Sequence, residues 1–227
     1  MTAAVIAIDG PSGSGKGEIS HRVASRLGWV LLDSGALYRL VALESMRRGI
    51  AEDDPQSLAD VARRLDVAFE RGANGGRIVR LCGNDVSAAI RTEACGEIAS
   101  RIAPLEPVRA ALLTLQRDMR RPPGLVADGR DMGTVVFPDA ELKVVLTASP
   151  EERARRRYKQ LKEKGIDVSL PALSADLAER DRRDSERRIA PLRPAPDARI
   201  LDTTHLDIEE TVDAVMAMAA RLSGSAQ

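Results

Sequence analysis

The sequence predicts an α/β fold, a five-stranded parallel sheet with helices on both faces. Three observations predict it. Short apolar runs alternate with helical stretches over most of the chain. The first run, Ala3 to Ile8, passes into a glycine-rich turn and then a helix. Antiparallel texture is confined to an insert of about 25 residues in the first half.

Each element has its own local reason. Ala3 to Ile8 is continuously apolar, as a parallel strand covered on both faces requires. Ile19, Val23 and Leu27 then recur every four residues, which marks a helix from Lys16 to Leu27. Trp29 to Leu32 reads as the second strand and Gly35 to Arg48 as the second helix. Ser57 is expected to cap a third helix reaching about Leu65, with Asp60 at the capping-box position. Leu65 to Glu70, Arg77 to Leu81 and a piece around Val86 form the antiparallel insert. Two helices follow, Thr92 to Ala103 and Pro107 to Arg121, with Pro107 suited to a first helical position. Leu125 to Ala127 and Leu142 to Thr147 are the next strands. Ser149-Pro-Glu-Glu152 opens a helix with cap, proline and capping-box glutamate in order. Two charge-dense helical stretches lie either side of Gly165 to Pro171. Arg199 to Leu201 is the last strand, and Asp207-Ile-Glu-Glu210 caps a terminal helix running to about Leu222.

Composition narrows the function. The 227 residues carry 34 basic and 34 acidic side chains, with 44% hydrophobic and 30% charged residues, the balance of an ordinary globular domain. No apolar run approaches the ~20 residues of a membrane span, and the short apolar start lacks the pattern of a secretory signal. Two cysteines, Cys82 and Cys95, are too few for a disulfide framework and have no metal-ligating neighbours at the right spacing. A cytoplasmic protein is expected, without membrane attachment. Five aromatic residues and zero net charge argue against a nucleic-acid binder. The basic residues are 29 Arg and 5 Lys. Arginine suits bidentate grips on phosphate, and a GC-rich genome would give the same bias.

The chemistry begins at Gly10-Pro11-Ser12-Gly13-Ser14-Gly15-Lys16, the first seven positions of the phosphate loop G-x-x-x-x-G-K-[ST]. Glycines let successive amides turn toward an anion, the helix N-terminus adds its dipole, and the lysine reaches the β- and γ-phosphates. The eighth position is Gly17 rather than Ser or Thr, and Glu18 stands where a later hydroxyl is expected. Glu18 is expected to point away from the ligand. Two further segments sit beyond strand ends, where α/β proteins bind their ligands: Asp33-Ser34-Gly-Ala-Leu-Tyr38-Arg39 and Asp128-Gly-Arg130-Asp131-Met-Gly133.

Asp33 to Arg39, the stretch Asp128-Gly-Arg-Asp-Met-Gly-Thr-Val-Val-Phe-Pro-Asp139 and Ile189-Ala-Pro-Leu192 together resemble the bacterial cytidylate kinases, from about Val5 to Met218. The resemblance implies a P-loop nucleoside-monophosphate kinase fold in one domain over 1–227. It implies a monophosphate-binding region over about 35–105, holding the antiparallel insert near 65–88, and an Arg-rich lid over about 150–193. It also implies roles. Loop residues Gly10 to Glu18, with Lys16, would hold ATP. Arg39, Arg130 and Arg187 would grip the CMP phosphate, with Ser34 beside it. Ser100, Arg109 and Asp131 would read the cytosine, and Arg180 and Asp184 the ribose. Arg153 and Arg157 match the lid arginines and would act in catalysis with Lys16 and Arg130. The implied reaction turns CMP or dCMP into the diphosphate, using ATP and Mg²⁺, in a monomer whose partners are small molecules. No protein ligand for the metal is assigned. Kinases of UMP or AMP, and an Arg-rich P-loop protein of RNA or ribosomes, are the competing readings.

Overall fold

The computed structural model describes residues 2–72, 76–163 and 165–223. The chain folds as two compact units: Met1–Leu32 with Met119–Gln227, and Asp33–Asp118.

The first unit is built on a five-stranded sheet. Its strands are β1 (Ala4–Asp9), β2 (Val30–Asp33, whose last residue opens the other unit), β6 (Gly124–Gly129), β7 (Leu142–Thr147) and β8 (Arg199–Asp202). Their spatial order is β2-β6-β1-β7-β8. β1 runs parallel to β6 and β7, and β7 parallel to β8. The five strands expected from sequence are all present. Ile6 lies opposite Val126 and Leu142, and Ile8 opposite Val144. They share one face with Leu146, over which Ile19 and Val23 of α1 (Lys16–Leu27) and Val212 and Val215 of α8 (Ile208–Ser223) pack. Val5, Ala7, Leu125 and Ala127, on the opposite face, are also fully buried. Burial on both faces accounts for the unbroken apolar reading of β1.

Between β7 and β8 come α6 (Pro150–Glu163) and α7 (Leu170–Glu186). The expected cap of α6 holds in half: Ser149 Oγ accepts from the Glu152 amide at 3.2 Å. Glu152 does not reach back, because its carboxylate is taken by Arg155 and Arg156. The Ser149 amide donates to Thr204 Oγ1 instead, at 2.9 Å. The α8 box is reciprocal, with Asp207 accepting from the Glu210 amide and Glu210 from the Asp207 amide.

The second unit contains α2 (Ser34–Arg48), α3 (Pro55–Arg63), the three-stranded antiparallel sheet β3 (Val67–Arg71), β4 (Arg77–Leu81) and β5 (Asn84–Asp85), a 3-10 turn at Ala89–Arg91, and helices α4 (Glu93–Ile102) and α5 (Glu106–Asp118). Its core gathers Leu37, Leu40, Leu58, Ile102, Val108 and Leu112, all fully buried. The expected Ser57 cap is corrected here. Helix α3 starts three residues earlier than a Ser57 cap requires, at Pro55, and Asp54 is its cap, accepting from the Ser57 amide at 3.1 Å. Asp-Pro at cap and first helical position is the stronger start signal, since proline fixes φ and lacks only an amide that has no helical partner anyway. Pro107 is likewise the second residue of α5 rather than the first.

Gly124 opens β6 against the face of Trp29: a Cβ at this position would lie 2.3 Å from the indole. Gly124→Ala is therefore expected to destabilise the protein by about 2 kcal/mol through overpacking. Trp29→Leu in the same chain should recover part of the loss, as urea melts of the single and double variants would show. Additive losses would disprove the contact.

Candidate active site

In the first unit the glycine-rich turn leaves β1 at Gly10. A Cβ there would lie 2.3 Å from the Leu146 carbonyl of β7, so only glycine lets the chain pass. Gly13 and Gly15 have φ of 78° and 86°, the left-handed region that glycine enters at low cost. Gly15 caps α1 without any side-chain bond, so the first turn of the helix presents amides rather than a capping oxygen.

The loop is held from outside by two arginines one turn apart on α6. Arg153, buried, donates to the Ser12 carbonyl at 3.1 Å and the Ala148 carbonyl at 3.2 Å, and pairs with Asp181 of α7 at 2.6 Å. Arg156 donates to the Ser14 carbonyl at 3.4 Å, to Thr203 Oγ1 at 3.1 Å and to the Thr203 carbonyl at 2.5 Å, while Glu152 orients it. Carbonyls engaged on the outer side favour amides turned to the inner side, the arrangement an anion needs.

Lys16 Nζ donates to the Pro11 carbonyl at 3.2 Å. Burial, reinforced by the charge of Arg130 and opposed by Asp128, pushes its pKa down to about 8. Arg180 and Asp184 act on the same ammonium. Lys16, Asp128, Arg130, Arg180 and Asp184 therefore form one electrostatic cluster. Arg130 donates to Asp184 Oδ2 at 2.7 Å, tying the end of β6 to α7. Burial alone would raise the Asp184 carboxyl, but Arg130, joined by Arg180 and Arg187, holds it below the ordinary range. Arg187, just past α7, donates to the Ala190 carbonyl at 2.5 Å. Arg157 lies on the same helix as Arg153 but donates to Gln160 Oε1, at 2.5 Å.

Glu18 points away from the loop, as expected: its carboxylate takes Arg22 one turn on, at 2.7 Å. Arg22 and Arg26 in turn pair with Glu209 of α8, and Arg26 with Asp213. Among the described residues no group of three or more His, Cys, Asp or Glu is placed to hold a metal ion.

In the second unit Asp33 accepts from the Ala36 amide at 3.0 Å and starts α2, which puts Ser34 and Arg39 in its first two turns. Arg39 donates to the Ile90 carbonyl at 2.7 Å and the Thr92 carbonyl at 3.3 Å. Arg109 of α5 donates to the Tyr38 hydroxyl at 3.2 Å. Ser100 of α4 is buried, and its hydroxyl finds no hydrogen-bond partner among the described residues. A buried hydroxyl left unsatisfied is costly, and a ligand is one thing that satisfies it.

Asp9 and Arg156 were not among the residues singled out from sequence. Asp9 ends β1, and its two carboxylate oxygens accept the amides of Met132 and Gly133, at 2.9 Å each. Burial pushes it up to about 6, against the pull of those two amides. In the sequence it reads only as the residue that stops an apolar run. Arg156 was hidden among its arginine neighbours, since the 3.6-residue period gives its direction but not its acceptors.

Comparison with known proteins agrees with this geometry. The family model described as cytidylate kinase matches residues 6–221. A protein of Methylococcus capsulatus named cytidylate kinase is 54% identical over 96% of this chain and 97% of its own length. One of Bordetella bronchiseptica with the same name is 58% identical over 94% of each. A crystal structure of an uncharacterized protein from Eubacterium ventriosum shares the fold, with a TM-score of 0.53 at 10% identity over 96% of this chain and 98% of that one. The strand order around a phosphate loop, the Asp128-to-Asp139 segment and these matches have one reading: the chain belongs to the cytidylate kinase family.

Proposed function

We propose that this chain transfers the γ-phosphoryl group of ATP to CMP, and also to dCMP, in pyrimidine nucleotide metabolism. The observation that carries this is the phosphate loop itself, braced by Arg153 and Arg156, with Lys16 inside a cluster that also contains Arg130 and Arg180. Phosphoryl transfer needs two phosphates held in line with their charge neutralised, and little covalent work from the protein. Residues Gly10 to Glu18 bind the triphosphate through backbone amides, and Lys16 bridges its β- and γ-phosphates. Ser34, Arg39, Arg130 and Arg187 take the CMP phosphate, and Arg180 and Asp184 the ribose. Ser100, Arg109 and Asp131 read the base. Helices α6 and α7 carry the lid, which excludes water from the transferring group. Arg157 of α6 acts as a lid arginine, while Arg153 supports the loop through the Ser12 carbonyl.

Magnesium fits as an ion carried by the triphosphate. Gly17 offers no hydroxyl and Asp9 is engaged by two amides; the buried Asp128 carboxylate, whose charge acts on Lys16, would hold the ion. When bound, the ion would supply positive charge that neutralises the phosphates. Both cysteines are free thiols, in keeping with a cytoplasmic enzyme, and we propose that it works as a monomer.

Three outcomes are expected. At pH 8 the free Lys16 is about half deprotonated, and triphosphate favours its charged form. ATP binding should then take up on the order of half a proton. Calorimetry in two buffers of different ionisation heat reads this, and Lys16→Ala should remove both the uptake and the transfer. Absence of uptake in the wild type would refute the placement of Lys16.

Base selectivity should follow hydrogen-bond polarity. Cytosine offers an amine where uracil has a carbonyl, an ionised aspartate only accepts, and an arginine only donates. Two mismatches at about 1–3 kcal/mol each give on the order of a hundredfold preference for CMP over UMP in kcat/KM. Asp131→Ala should narrow it. A coupled assay with CMP, UMP and AMP, with and without RNA, separates the competing readings, and CMP and UMP within about threefold of each other would overturn this one.

Hydrogen exchange should show α6 and α7 gaining protection when both nucleotides are added. Protection that ignores ligand would remove the lid from the proposal.

A further inference from the structure

Asp131 stands at the entrance of a short π-helical turn, Met132–Val136. Aspartate is among the best residues for this place, because its carboxylate ordinarily accepts the amides that a helical start leaves without partners. Here it does not: Asp131 makes no side-chain cap bond, and its backbone sits at φ −144°, ψ 23°. The first two amides of the turn, those of Met132 and Gly133, go to Asp9 instead, one to each carboxylate oxygen at 2.9 Å. Asp9 is distant in sequence and is the last residue of β1, paired in register with Gly129.

The arrangement is expensive. Asp9 and Asp131 are both only 4% exposed, and the Asp131 charge adds to the burial that already disfavours ionised Asp9. A cheaper solution exists in principle: Asp131 could cap its own turn, and position 9 could be apolar like the rest of β1. The more costly arrangement gives two results. The Asp131 carboxylate is not used as the cap of its own turn, and the turn that carries it is fixed to the residue immediately before Gly10. The donor loop and the acceptor-reading segment therefore start from the same point.

We propose that Asp9 is a positioning residue for nucleobase recognition: it caps the 132–136 turn in place of Asp131 and so holds the Asp131 carboxylate toward the acceptor. This rests on the reading that Asp131 addresses the cytosine. Asp9→Asn keeps the size but puts an NH₂ against one of the two amides, so the turn loses a bond and gains a donor–donor contact.

The test is a double-mutant cycle on the full chain: wild type, Asp9→Asn, Asp131→Ala and the double variant, each assayed on CMP and UMP at saturating ATP, with ATP affinity measured separately. Asp9→Asn is expected to lower kcat/KM for CMP by at least about tenfold and to narrow the CMP-to-UMP ratio, with ATP affinity within about twofold of wild type. On the Asp131→Ala background it should add little, because it acts through that side chain. Additive losses, or a fall on CMP and UMP alike with an unchanged ratio, overturn the proposal and leave Asp9 a purely structural residue. If Asp131→Ala itself leaves the ratio unchanged, the base-reading role of Asp131 is wrong and the proposal falls with it, an outcome visible in that variant alone. Should Asp9→Asn not fold, Asp9→Glu keeps both oxygens and the charge while displacing the turn, and must show the same ratio change and the same lack of additivity.

Discussion

The end of β1 is the constraint on which the rest of the site depends. Residue 10 has to pass the Leu146 carbonyl with no room for a Cβ, and residue 9 has to satisfy two amides from another segment. Between them they fix where the phosphate loop begins and where the turn after β6 is anchored. The sheet order makes this possible. With β1 lying between β6 and β7, the loop after β1 emerges between the segments that follow both neighbours, the place where parallel sheets bind ligands.

Electrostatics then set the tone of the first unit. Lys16, Arg130 and Arg180 repel one another, and Asp128 and Asp184 only partly compensate. A buried lysine among like charges, its pKa lowered first by desolvation, gains from a polyanion that pairs with its ammonium. The ion pair between Arg130 and Asp184 also links the sheet to α7, while Arg153 links the loop to the same helix through Asp181. Helix α7 is thus tied to the rest of the first unit at two points, the residue after β6 and the arginine that braces the loop.

Most of the fold was legible in the sequence because its signals are local. Apolar runs at the five core strands, the Asp207–Glu210 box and the phosphate loop all declare themselves within a few residues. The errors are local too: Ser57 reads as a cap because a hydroxyl before an apolar stretch mimics a helix start, and the Asp54-Pro55 pair makes that start better. Of the candidate site only the phosphate loop is legible in the residues themselves, and the roles of residues far apart in the chain are proposed through the resemblance. A residue that acts across the fold leaves no local signal. Nothing near Asp9 announces Met132 as its partner, and Arg156 is one of several arginines in a helix whose periodicity says only which way each points.

The arginine excess, so easily put down to codon usage, divides into two populations once acceptors are known. Many arginines pair with glutamates on helix surfaces, as Arg48 does with Glu44 and Arg182 with Glu179. Others address backbone carbonyls: Arg39 at Ile90, Arg120 at Ala3, Arg153 at Ser12 and Ala148, Arg156 at Thr203. A lysine serves the first kind well enough, being a point charge on a flexible stem. It serves the second poorly, because a single ammonium lacks the rigid fork that reaches two acceptors at fixed angles. Genomic drift toward AT-rich codons would therefore be free to rewrite the outside of this protein, and would be stopped at the handful of arginines that hold its backbone in shape.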